Sequence, residues 1–438
     1  MRASHPTDRR AETADPAPHR SPGAPDLPHL QAPPDPAGAE SLAVDGLRVD
    51  AVDRDVRAAV DRVLGHALAD NLTRAATADP LFARDVARRV AHFTLDGGRR
   101  FRSRIVWWTM RACGGRDDAA ARAALRVGAA LELIQTCALA HDDVMDGARV
   151  RRGRPALHVS VAAQYRGAAP DGRAERLGEA TAILAGDLAL AWADDLIADT
   201  EVPERSARRV RELWRDMRTE MVAGQYLDVQ GQATRSHDVP RALRAATLKS
   251  ALYSVERPMA LGAALAGADA ATTTALSSAG RCVGLAFQLR DDLEDVFADP
   301  GRTGKPAGGD LRNGKPTYVF TVARAWAEAA GDVEALAVLD GTHGRADLPE
   351  SGLASLRRVL VSTGARDAVE EKIDRLVGCG VRHLRDARLD GAGAAELERL
   401  LLAVAGVHPA RPAGATRPPD DAGPPALAHA AEAEGAGR

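Results

Sequence analysis

Leu131-Glu132-Leu133-Ile134-Gln135-Thr136-Cys137-Ala138-Leu139-Ala140-His141-Asp142-Asp143-Val144-Met145-Asp146 is an apolar stretch that runs without a break into three aspartates. Leu131, Leu133, Ile134 and Leu139 sit at helical spacing, so the stretch reads as the end of a core helix. Asp142 and Asp146 are one helical turn apart; if the helix continues through them, both carboxylates leave from the same face, with Asp143 alongside. Like charges at that spacing repel, and a hard cation relieves them. Magnesium suits the arrangement, since it prefers oxygen ligands and bridges one or two carboxylates to phosphates. Taken alone, the pattern reads equally as a solvated acidic helix end.

Working outward, the same helical period recurs. Val52, Val56, Val60, Val63 and Leu64 form one stripe with Arg and Asp between them. Similar segments are expected over 80–95, 101–112, 118–146, 179–199, 203–229, 241–267, 271–297, 317–330, 352–378 and 393–405, while runs of β-type alternation are scarce. An all-α fold follows, a single large helical bundle over residues 43–408. Residues 1–42 and 409–438 are rich in Pro, Ala, Gly and Asp with few aliphatic side chains, and are expected to be a disordered extension and a disordered tail.

Composition narrows the function. Among 438 residues, 58 basic and 61 acidic side chains leave a net charge of -3, with no global reason to bind nucleic acid or an anionic membrane, and aromatics make up only 3%. No uninterrupted apolar run of about 20 residues and no signal-like N-terminus occur, so the expectation is a cytoplasmic protein with no stable membrane insertion. Cys113, Cys137, Cys282 and Cys379 lie far apart without C-x-x-C spacing, which argues against a zinc site or a disulfide framework.

The acidic pattern has a second copy. Val283-Gly284-Leu285-Ala286-Phe287-Gln288-Leu289 leads into Asp291-Asp292-Leu293-Glu294-Asp295. Two such motifs, each ending an apolar helix, are hard to read as surface. Arg149, Arg151, Arg152 and Arg154 follow the first and Lys305 and Lys315 follow the second; arginine forks and lysine point charges both grip phosphate oxygens. Only four of the 58 basic residues are lysine (Lys249, Lys305, Lys315, Lys372); Lys305 and Lys315 fall after the second motif, and with Lys249 they are the three in segments expected to be catalytic. By contrast, Asp194-Asp195 with Asp199 lacks basic surroundings and reads as surface.

From about Gly97 to Thr317 these residues resemble, in order, the polyprenyl synthetase family of trans-isoprenyl diphosphate synthases. Gly97-Gly98-Arg99-Arg100-Phe101-Arg102 is similar to its G-G-K-R-x-R segment, Gly224-Gln225-Tyr226-Leu227-Asp228 to its G-Q-x-x-D element, and Lys249-Ser250 to its K-T pair. Gly304-Lys305 and Asp310-Leu311-Arg312-Asn313-Gly314-Lys315 follow the second aspartate motif as they do in that family. The departures are Arg99 for lysine, Gln135 where histidine is frequent, Ser103 for proline and Ser250 for threonine.

The resemblance implies a bundle of the isoprenoid synthase type with a central substrate cavity, working as a homodimer with three magnesium ions per loaded site. Magnesium would be held by Asp142, Asp146 and Asp291, with Asp143, Asp292 and Asp295 completing the metal-binding set. Arg151, Lys249, Ser250, Gln288 and Lys305 would contact the allylic diphosphate, and Arg99, Arg102, Gln135 and Arg152 the isopentenyl diphosphate. Catalysis would rest on Asp142, Asp146, Lys249, Asp291 and Lys305. The allylic C–O bond ionises, the isopentenyl double bond attacks, and a proton is lost to pyrophosphate, so no protein nucleophile is required. Bulky residues just over one turn before the first aspartate stop growth at farnesyl diphosphate in this family; Cys137 and Ala138 are small, which implies geranylgeranyl diphosphate unless Trp107 or Trp108 closes the tunnel. A class I terpene cyclase would carry an N-D-x-x-S-x-x-x-E element in place of the second aspartate motif, and an inactive regulatory subunit would have lost site residues.

Overall fold

A computed structural model describes residues 48–170, 172–298 and 307–407. The expected disordered segments, 1–42 and 409–438, and Lys305 lie outside these residues. Within them the chain is a bundle of helices with one small hairpin, as the period predicted.

Two long helices form its middle. The Asp118–Met145 helix starts on an Asp117 side chain that accepts the Ala120 N–H, and it ends on Asp146. It is long and apolar enough to cross a membrane by composition, yet most of it is buried in protein, against the Arg173–Ala198 and Phe101–Ala112 helices. The Ala270–Phe297 helix, capped by Asp269 on the Thr272 N–H, packs against Ala365–Asp386 and carries the second motif at its C-terminal end. Both acidic clusters therefore sit where helix dipoles are negative, a placement that costs energy unless cations meet them.

Three local features depart from the expected segments. The 241–267 segment is helical throughout but its centre, Thr247–Glu256, is π-helical. Such an insertion rotates the side chains that follow and is common at functional sites; here it carries Lys249 and Ser250. The 352–378 segment is broken into Glu350–Ser362 and Ala365–Asp386, because Gly364 adopts φ +78° between them. Between the first motif and the Leu157–Tyr165 helix, Val150–Arg151 pairs antiparallel with Arg154–Pro155. Arg152 and Gly153 form the two-residue turn with φ +55° and +74°, the left-handed pair that a type I′ hairpin demands.

Asp194 is not simply surface. Its carboxylate accepts the Trp214 indole N–H at 2.7 Å and pairs with Arg218, tying the Arg173–Ala198 helix to Glu204–Thr234. The basic partner is distant in sequence, so no local pattern reveals it.

Candidate active site

The cations that answer the first motif come from two other elements. The hairpin aims Arg151 back at the helix end, where its Nε donates to Asp143 Oδ1 at 2.7 Å and its guanidinium reaches Asp142 Oδ2 at 3.3 Å. From the π-helical segment, Lys249 Nζ donates to Asp142 Oδ1 at 2.9 Å and to Asp228 Oδ2 at 2.6 Å. Gln225 donates to Asp142 Oδ1 at 3.1 Å. Burial pushes the Asp142 carboxyl up, but Lys249 and Arg151 outweigh it and hold it at about 2. Asp146 lies in the same cluster; burial and the neighbouring Asp142 push its carboxyl up to about 6.

In the second motif, Asp291 is half-buried. Asp292 is turned inward, where its Oδ2 accepts the Tyr318 N–H at 3.1 Å, and burial raises its carboxyl well above the usual range. Asp295 accepts the N–H groups of Gly309 at 3.2 Å and Asp310 at 3.1 Å. Burial and then Asp310 push its carboxyl up to about 7. Asp292 and Asp295 thus brace the segment after the motif, while the resemblance leaves Asp291 as its principal metal ligand.

Lys315 joins the two halves. Its Nζ lies 3.4 Å from Asp310 and 3.9 Å from Asp228, and its charge is felt by Asp142 and Asp146 on one side and by Asp292 and Asp295 on the other. Lys249, Gln288, Asp228, Asp292 and Lys315 line a single cavity, within which Gln288 Oε1 is buried without a partner. Asp228 and Gln225 stood in a recognised segment but carried no site role in the sequence reading, where the only signal was the G-Q-x-x-D spacing; Lys315 was expected only as a phosphate-gripping cation, and the scarcity of lysine had marked it.

The remaining predicted residues fall in two places. Arg102 is half-buried with its guanidinium 4.5 Å from the ring centres of Phe101 and Tyr253, and it donates to Ser254 Oγ at 2.8 Å. Arg152 lies over Phe93 at 5.0 Å and donates to its carbonyl at 3.1 Å. Both feel Glu132, one turn before Gln135, whose Oε1 is buried without a partner. Arg99 is not with them: it is exposed and lines a separate cavity beside Asp53, Arg104, Trp108 and Arg399. The reason is Arg100, left-handed at φ 50° and buried, which donates to Asp61 at 2.8 Å, Glu132 at 3.1 Å and the Leu95 carbonyl at 3.0 Å and so turns the chain between Arg99 and Arg102. Ser103, the departure from proline, places its hydroxyl 2.7 Å from Glu132 Oε1 in the same network.

The donor set fits magnesium. Asp143 Oδ2 and Asp146 Oδ1 are buried without hydrogen-bond partners, and crowding raises the Asp146 carboxyl. Buried oxygens that lack a partner and repel one another are what a hard divalent ion satisfies.

The sequence profile of the Polyprenyl synthetase family matches residues 84–344. The chain belongs to that family. It is 32% identical over 284 residues to the geranylfarnesyl diphosphate synthase of Aeropyrum pernix, covering 64% of this chain and 81% of the relative. To the geranylgeranyl diphosphate synthase of Mycobacterium tuberculosis it is 37% identical over 243 residues, 55% of this chain and 62% of that one. A geranylgeranyl pyrophosphate synthase from Corynebacterium glutamicum, solved with isoprenyl diphosphate and magnesium, superposes with a TM-score of 0.73 at 34% identity over 79% of this chain and 98% of its own. Membership makes this chain a prenyltransferase of the trans-prenyl diphosphate synthase type.

One position tests how tightly the family's fold sets Lys249. A Cβ added at Gly224 would lie 2.2 Å from the Lys249 amide nitrogen and 2.6 Å from its Cα, backbone that cannot rotate away. Gly224→Ala is expected to destabilise the fold by about 1–3 kcal/mol and to displace Lys249, lowering kcat more than KM. Urea unfolding and steady-state kinetics on the same preparation check both; a variant with native kinetics would show that the two helices yield.

Proposed function

We propose that this polyprenyl synthetase is a magnesium-dependent homodimer that condenses isopentenyl diphosphate with an allylic diphosphate, ending at geranylgeranyl diphosphate with release of pyrophosphate. The observation that carries the condensation is the pair of aspartate motifs with Arg151, Lys249 and Lys315 between and around them. Three magnesium ions, held by Asp142, Asp146 and Asp291, would supply electrostatic stabilisation of the departing pyrophosphate. Lys249 and Arg151 stand ready to grip the allylic diphosphate, Lys315 puts positive charge between the acids of the two motifs, and Gln288 lines the cavity beside Lys249 with a side-chain amide whose NH2 can donate to a phosphate oxygen. Arg102 and Arg152, with Gln135, supply the polar groups for isopentenyl diphosphate. Lys305 and Ser250 are proposed to contact the allylic diphosphate, Ser250 from its place beside Lys249.

Product length rests on Cys137 and Ala138. Cys137 is buried with Sγ 3.8 Å from His141 Nδ1. Trp107 is engaged elsewhere, its indole N–H donating to Asp53 at 2.8 Å, and Trp108 lines the cavity that holds Arg99. Small side chains at 137 and 138 therefore support a deep tunnel. Homodimer formation is supported by Leu177, Ile183 and Leu184, exposed by 41%, 45% and 58% on the Arg173–Ala198 helix, more apolar surface than a lone helix face usually leaves to water. A reducing cytoplasm, where all four cysteines stay thiols, is the proposed location.

Purified protein given magnesium, isopentenyl diphosphate and each of dimethylallyl, geranyl and farnesyl diphosphate should yield geranylgeranyl diphosphate, sized by chromatography after dephosphorylation. A farnesyl end product would overturn the length assignment, and a cyclic hydrocarbon from geranylgeranyl diphosphate alone would overturn condensation. Cys137→Phe should shift the main product to farnesyl diphosphate, and an unchanged product would remove residue 137 from the tunnel.

A further inference from the structure

The spacing of the cysteines argued against a metal site, but packing brings two of them together. Cys282 lies on the second-motif helix, Ala270–Phe297, and Cys379 and His383 lie one turn apart on Ala365–Asp386. Their ligand atoms are all within 4.8 Å of one another, and all three residues are half-buried, so an ion can reach them from solvent. The approach is close because residue 380 is glycine: a Cβ there would meet Val283 Cγ2 at 2.7 Å and Cys282 Cβ at 3.6 Å.

We propose that Cys282, Cys379 and His383 form a binding site for zinc, distinct from the magnesium carboxylates. Two sulfurs and an imidazole are soft donors that favour zinc and discriminate against magnesium, which demands oxygen. Zinc–sulfur and zinc–nitrogen bonds of about 2.3 and 2.0 Å place tetrahedral ligands roughly 3.3–3.8 Å apart, so side-chain rotation closes the cluster without moving either helix. Each thiol gives its proton to bulk solvent as it binds, and the fourth position takes water. The site is remote from the chemistry, since at 1.5 Å per residue Cys282 lies about 13 Å along the helix from Asp291. Its effect is mechanical: the ion ties the helix that carries the second motif to the one that packs behind it.

The test uses the reduced, chelator-treated full chain titrated with cobalt(II) as a spectroscopic stand-in for zinc. The expected result is a thiolate-to-cobalt charge-transfer band that saturates at one equivalent, is abolished by zinc and is untouched by excess magnesium. Oxygen ligands at the aspartate motifs give no such band. Cys379→Ser should abolish it while retaining magnesium-dependent condensation and the helical circular-dichroism signal, and His383→Gln should weaken cobalt binding at least tenfold, by rough analogy with other lost metal-site partners. No band in the reduced protein overturns the proposal, as does a band that survives both Cys282→Ser and Cys379→Ser, which would assign it to Cys113 or Cys137. Loss of two titratable thiols on exposure to air, with no band after re-reduction, would make the pair a disulfide site and also overturn it.

Discussion

Asp142→Ala is expected to lower condensation by ~10³-fold or more while leaving the fold intact, because this carboxylate, which Arg151 and Lys249 share, is the one proposed to hold magnesium against the departing diphosphate. The fold should survive for a reason visible in its partners. Lys249 loses Asp142 at 2.9 Å but keeps Asp228 at 2.6 Å, and Arg151 keeps Asp143 at 2.7 Å. No buried cation is stranded, which is the circumstance that makes loss of an ion-pair partner expensive. Incorporation of labelled isopentenyl diphosphate, read beside far-ultraviolet circular dichroism, separates the outcomes. Full activity would remove Asp142 from the metal set, and an unfolded variant would show that the carboxylate is structural.

Lys315→Met reverses the balance, with a large expected effect on stability. Asp228 retains Lys249, but Asp310, 3.4 Å from Lys315 Nζ, loses its ion-pair partner, and Asp292 and Asp295 lose a nearby positive charge. A fully buried carboxylate left uncompensated costs about 3–5 kcal/mol, and the half-buried Asp310 costs less, so the urea midpoint should fall by the equivalent of about 1–3 kcal/mol. The deficit should depend on pH with a definite sign. The Asp295 carboxyl is already pushed up to about 7 by burial and Asp310, and removing a cation raises it further. A carboxyl whose folded value exceeds its unfolded one favours folding least where it is ionised, so stability falls as pH rises through the folded value. The difference between wild type and Lys315→Met should therefore be larger near about pH 8 than near about pH 5, compared by urea unfolding at each. Equal deficits at both would show that Asp295 does not feel the Lys315 charge.

The acids were legible because a helix repeats every turn: Asp142 with Asp146, and Asp291 with Asp295, could be placed on common faces from spacing alone. The basic residues beside them in sequence were legible in part. Arg151 and Arg152 follow the first motif closely, and a two-residue turn returns Arg151 to it. Arg99 and Arg102 look equivalent in the same short segment, yet the left-handed, buried Arg100 between them sends Arg99 to another cavity. Asp292 shares a motif with Asp291, but it faces the Tyr318 N–H because neighbouring helix positions point about 100° apart.

What the chain determined by itself is the set of local periods and chemical types: helices throughout, two carboxylate clusters at the ends of apolar helices, a few retained lysines, and small residues at 137 and 138. Those follow from interactions within a turn or two of helix, and a sequence displays them directly. Which distant groups meet was decided only in three dimensions. Lys315 pairs with Asp228 and Asp310 between the two motifs, Lys249 bridges Asp142 and Asp228, and Cys282 meets Cys379 and His383, because glycines at 224 and 380 let backbones approach and a π-helical segment sets the direction of Lys249. Contacts of that kind depend on helix separation and rotation, quantities fixed by packing across the whole core, and no local spacing encodes them.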